Sequence, residues 1–135
     1  MGPGRTQDMD GGIADEVRRF VLTSIPTVPH LETLLLLWRE RKEWWSAEEV
    51  ALRLYVTPAL AHTLVADLCR ADLLDCEGDP PVYRSRREPA HLARLVEGLD
   101  QAYTRQLREV TRLIHSNVDR RAERFKQAFT WKKDR

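Results

Sequence analysis

The sequence contains no apolar run long enough to cross a bilayer. Its longest, Leu34 to Trp38, lies between Glu32 and Arg39, far short of the ~20 residues a span needs. Cysteine is scarce. Cys69 and Cys76 are the only two, too few for a disulfide framework, and the default location is cytoplasmic. Four of the six glycines fall within residues 1–12. That stretch has neither an apolar core nor a cleavage-site pattern, so it reads as a disordered tail and not as a secretory signal.

Chemistry-bearing motifs are missing as well. There is no glycine-rich phosphate loop, no nucleophile elbow and no pair of histidines on one helix face. The expectation is therefore a protein that binds and is not an enzyme, with no cofactor. His62, Cys69 and Cys76 are spaced by seven without a CxxC pair. A metal site needs three or four convergent ligands, so no metal is expected.

What is present is ordinary globular chemistry, with 42% hydrophobic and 32% charged residues and a net charge of +1. The charge is unevenly placed. Residues 1–111 carry 14 Lys and Arg against 18 Asp and Glu, whereas residues 112–135 carry 8 against 3. The basic character belongs to the C-terminal end.

Hydrophobic spacing of three and four predicts a mainly α chain. A first helix over about 14–23 places Val17, Phe20, Val21 and Ser24 on one face, with Ile13 adding to it. A second, opened by Pro29 and running to about Arg41, buries Leu31, Leu34, Leu35 and Trp38. Leu36 and Leu37 widen its stripe enough to make it the central helix. Trp44-Trp45 reads as extended. Ser46-Ala47-Glu48-Glu49 is a capping box that starts a third helix burying Ala47, Val50, Ala51 and Leu54. After a turn at Tyr55-Val56, Thr57-Pro58 signals a fourth helix, with Leu60, Leu64, Val65 and Leu68 inward. It ends near Asp72, which tolerates a left-handed conformation. Leu73–Cys76 and Val82–Ser85, on either side of a Gly/Pro turn, predict a β-hairpin. One long helix is expected over 89–116, and a shorter one over 119–129.

Two short helices, a three-residue turn and a hairpin make a winged helix-turn-helix. The segment Leu54 to Leu74 resembles the recognition half of MarR-like winged-helix transcriptional regulators. The resemblance covers about residues 29–87. It implies a winged-helix domain over 13–87 with a hairpin wing, and a C-terminal helical extension over 88–135. It implies that the fourth helix enters the major groove of double-stranded DNA. Thr57, Ala59, His62 and Thr63 would then face bases or phosphates, with Pro58 and Ala66 beside them. Arg70 would reach the backbone, and Arg84, Arg86 and Arg87 would lie near phosphates or the minor groove. The departures from the pattern are chemical. From Pro58 to Ala71 the helix has no Lys, Asn or Gln and no Arg before Arg70, yet these types make the bidentate base contacts. The hairpin tip carries Glu77 and Asp79, and the family's Gly is Asp72 here. In the DNA reading the basic groups come from the wing arginines and the segment Arg120 to Arg135. The alternative is a winged helix used as a protein-interaction module, with the apolar outer face of the fourth helix meeting a partner.

Leu92, Val96, Leu99, Tyr103, Leu107, Val110 and Ile114 form a stripe about 34 Å long. Such a helix either folds back along the first two helices or self-associates. Its length favours a homodimer interface.

Overall fold

The structure, a computed structural model, describes residues 13–40 and 43–116. The tail at 1–12, the helix expected over 119–129 and the basic C-terminal segment lie outside them. Within the described residues the chain is mainly helical, with one two-stranded antiparallel sheet.

Helix α1 (Asp15–Ser24) has Asp15 and Glu16 in its first turn, where the helix dipole favours negative charge, and it buries Val17, Phe20 and Val21. Helix α2 (Val28–Arg39) starts at Thr27, whose hydroxyl accepts a hydrogen bond from the His30 amide. Leu31, Leu34, Leu35, Leu37 and Trp38 are all buried on α2, which makes it the centre of the core. Truncating such a leucine to alanine typically costs ~2–5 kcal/mol.

Trp45 then exchanges two backbone hydrogen bonds with Tyr83, each 2.7 Å. This adds one extended residue to the edge of the hairpin. Helix α3 (Ala47–Leu54) begins with a complete capping box. The Ser46 amide donates to Glu49 Oε1 at 2.8 Å, and the Glu49 amide to Ser46 Oγ at 3.1 Å. Helix α4 (Pro58–Arg70) packs on α3 and α2. It closes at Asp72, whose φ of 63° is left-handed, with the Leu73 amide bonded to the Leu68 carbonyl. Strands β1 (Leu74–Glu77) and β2 (Val82–Ser85) pair with Leu74 opposite Ser85. Helix α5 (Ala90–Arg105) and a further helix α6 over residues 107–116 complete the fold.

Three sequence expectations need correcting. Leu60 does not point inward. It is 39% exposed, and Ala61 is buried in its place beside Leu64, Val65 and Leu68. One residue on a helix is a rotation of ~100°, so the inward stripe is set by α4's contacts with α2 and α3. The C-terminal helix is not continuous, for Gln106 leaves helical geometry with φ −133° and ψ 58°. The stripe assigned to a dimer interface is largely inside the chain. Val96, Leu99, Val110 and Ile114 are buried in its own core, Leu92 and Tyr103 are half-buried, and only Leu107 is exposed. The reason is close packing of α5 on α1, where a Cβ at Gly98 would stand 3.0 Å from Val17 Cγ2. Polar ties add to it: Trp38 Nε1 donates to Glu97, and Arg39 pairs with Asp100. A straight helix of this length would overrun a small domain, whereas the break at Gln106 lets both halves pack inside it.

No single helix among the described residues is long and apolar enough to cross a membrane.

Candidate interaction face

The turn between α3 and α4 is made by Tyr55, Val56 and Thr57. Tyr55 adopts a left-handed conformation (φ 58°, ψ 44°) that ends α3, and the Val56 amide reaches back to the Ala51 carbonyl at 3.1 Å. Thr57 Oγ1 then accepts from the Leu60 amide at 3.1 Å, and Pro58 sits in the first helical turn. Capping and backbone geometry thus fix how the two helices present their outer surfaces.

That surface is apolar where it is most exposed. Among the described residues the exposed large hydrophobics are Leu52 (77%), Tyr55 (93%), Leu60 and Leu107. Three of these four fall between positions 52 and 60. Beside them, Glu40, Glu43, Trp44, Trp45, Glu49, Leu52 and Arg53 line a groove of about 320 Å³. Among the described residues three carboxylates face one guanidinium there, a balance that favours a cationic visitor.

The residues expected to touch DNA are on the surface, and His62, Arg70, Arg84 and Arg86 are already paired with carboxylates. Thr57, Ala59, His62 and Thr63 are exposed on the N-terminal half of α4. His62 Nε2 lies 3.0 Å from Glu48 Oε2, a contact that holds the Glu48 carboxyl below its usual range. Arg70 is paired with Asp67 one turn earlier. Arg84 meets Asp75 at 3.4 Å and stacks over the Trp44 ring at 4.3 Å. Arg86 lies 3.6 Å from Asp72, and Arg87 is exposed. Arg53 joins Glu40 at 2.5 Å, and this contact lowers the Glu40 pKa and raises that of Arg53. Between Ser46 and Arg87 five arginines stand against seven Asp and Glu. The formal charge of this segment is therefore −2, which does not favour phosphate.

Three relationships escaped the sequence reading. His30, 7% exposed, places Nε2 2.8 Å from Asp67 Oδ2 and Nδ1 2.6 Å from Thr27 Oγ1. It ties the start of α2 to the last turn of α4, whereas the sequence shows only an isolated histidine. Cys69 on α4 and Cys76 on β1 are neighbouring free thiols. Burial first, and then the Cys76 neighbour, push the Cys69 pKa up to about 12. Tyr55 reads from the sequence only as a turn residue. Its one sequence signal is a bulky side chain where a left-handed turn favours glycine or asparagine. No group of three or more metal-ligating side chains occurs among the described residues.

No protein-family model matches the chain, and neither a curated protein nor a solved structure shows significant similarity to it.

Proposed function

We propose that this chain is a winged-helix module that binds a protein partner through the outer face of α3, the Tyr55 turn and α4. The observation that carries the reading is Tyr55, almost wholly exposed in a left-handed backbone conformation. A non-glycine residue there costs ~1 kcal/mol or more, and an exposed ring recovers none of it by packing. Such a residue makes sense when a partner covers it, and tyrosine is enriched among the residues that dominate binding energy. Leu52 and Leu60 extend the apolar surface, and the groove beside Leu52 adds Glu40, Glu43 and Glu49. The matching partner presents an apolar anchor flanked by Lys or Arg.

A second reading, a dimeric DNA-binding regulator of the MarR-like kind, draws on a different observation. Thr57, Ala59, His62 and Thr63 lie unburied at the N-terminal end of α4, where a recognition helix meets base edges. Surface ion pairs are worth only ~0–1 kcal/mol, so Arg70, Arg84 and Arg86 can exchange carboxylates for phosphates at little cost. The carboxylates they leave behind then face the DNA, and this weighs against the reading.

The deciding experiment has two parts. A photo-crosslinking amino acid at position 55 in the chain's native cells is expected to yield one protein adduct that is absent when the probe stands at exposed Arg94. Anisotropy with random duplex DNA at low salt is expected to show no binding. Tight DNA binding that weakens steeply with salt, without a protein adduct, establishes the second reading instead.

A further inference from the structure

The break at Gln106 has no local cause. Neither proline nor glycine lies between Gly98 and Ile114, and the apolar steps run on through it from Leu92 to Ile114. Sharp helix breaks normally trace to Pro, Gly, a bulge or an inserted group. Here the break forgoes the bonds that a continuous helix would make from the amides of 107, 108 and 109 to the carbonyls four residues earlier. It also leaves Gln106 Oε1 buried with no hydrogen-bond partner among the described residues. A buried amide oxygen without a donor is unfavourable. What holds the break closed is tertiary, since it lets Val110 and Ile114 reach the chain's own core.

Those contacts need not come from the same copy. The geometry points to an exchange of α6 between two copies of this chain. In each, Gln106 becomes helical, α5 and α6 join into one helix of about 40 Å over residues 90–116, and Val110 and Ile114 fill the partner's core. Every core contact of the monomer is then remade in the dimer. The hinge regains its helix bonds, and the Gln106 side chain is released from its buried position. Swapping an identical element is a low-cost route to a dimer because only the hinge differs between the two states. This inference is independent of which partner the α3–α4 face takes.

The selective variant is Leu107→Pro. Leu107 is 53% exposed and opens α6. Proline is favourable at a first helical position, so the closed monomer keeps its fold, whereas inside a continuous helix proline breaks it. Full-length protein is refolded at sub-millimolar concentration, diluted, and weighed by light scattering. Wild type is expected to give a slowly dissociating dimer. Leu107→Pro is expected to dimerise about ten-thousandfold more weakly, since each of the two joined helices in the dimer carries the proline, with a melting curve like wild type. Inserting two glycines after Gln106 relaxes the hinge and is expected to give monomer too. Leu107→Ala tests for ordinary surface association, and its dimer is expected to persist. A wild type that stays monomeric overturns the inference. So does a Leu107→Pro or glycine-inserted chain that dimerises like wild type, or a Leu107→Ala chain that does not dimerise.

Discussion

His30 Nε2 sits 2.8 Å from Oδ2 of Asp67, joining the first turn of α2 to the last turn of α4 across 37 positions of sequence. Asp67 also holds Arg70. The presentation of α4 therefore depends on one largely buried polar pair as well as on Ala61, Leu64, Val65 and Leu68. His30→Ala leaves Asp67 without its buried partner, and a lost hydrogen bond of this kind costs ~1–3 kcal/mol. Urea denaturation is expected to show that loss. A double-mutant cycle with Asp67→Ala is expected to give a coupling well above zero. Additive effects would mean that the contact carries no energy.

Tyr55→Gly is expected to stabilise the fold by about 0.5–1 kcal/mol, since glycine adopts the left-handed conformation without the steric cost borne by a side chain. The exposed ring gives up no packing in exchange. The same change is expected to abolish partner binding. A variant that is more stable but inactive is the signature of a residue kept for recognition. If thermal melting shows Tyr55→Gly to be destabilised, the ring packs in the folded state and is not kept for docking.

The two thiols are expected to react unequally. Cys76 is exposed, while burial holds Cys69 protonated to about pH 12. The thiolate is the nucleophile, so alkylation near pH 8 followed by mass spectrometry should label Cys76 first and Cys69 only slowly. The pKa of Cys69 is raised from 9.0 in the folded state, so the folded form binds its proton more tightly. The resulting stability is fully present below pH 9 and is lost as pH rises from about 9 towards 12. Cys69→Ala is expected to flatten that alkaline decline relative to wild type.

Ser46→Ala removes half of the capping box and is expected to cost about 1 kcal/mol. Because α3 has only eight residues, the loss should also lower helix content measured by circular dichroism. Glu49→Gln preserves the reciprocal hydrogen bond and is expected to be milder.

Local chemistry was readable from the chain itself. The Ser46–Glu49 box, the Thr57-Pro58 start, the left-handed Asp72 and the hairpin on either side of Gly78 are set by residues within a few positions of one another. Spacing found the buried faces of α1, α2 and α3, because a period near 3.6 reports one side of a helix wherever that side goes. It misplaced Leu60, since a helix rich in small apolar residues offers two adjacent stripes and only α2 and α3 choose between them. The residue types expected at a DNA surface are indeed exposed, but the carboxylates that occupy them could not be inferred. Glu48 meets His62 and Asp72 meets Arg86 only because helix crossing and hairpin register bring them together.

By itself, the sequence determined where α1 to α4 begin and end to within two residues, which residues turn the chain between them, and that a capped helix pair precedes a β-ribbon. These follow from backbone sterics and from hydrogen bonds that close within one or two turns. Only the tertiary structure decided that the stripe from Val96 to Ile114 turns inward at Gln106, that His30 answers to Asp67, and that Tyr55 stands uncovered. Burial and long-range pairing depend on which surfaces meet, and a one-dimensional pattern records a face without naming what covers it.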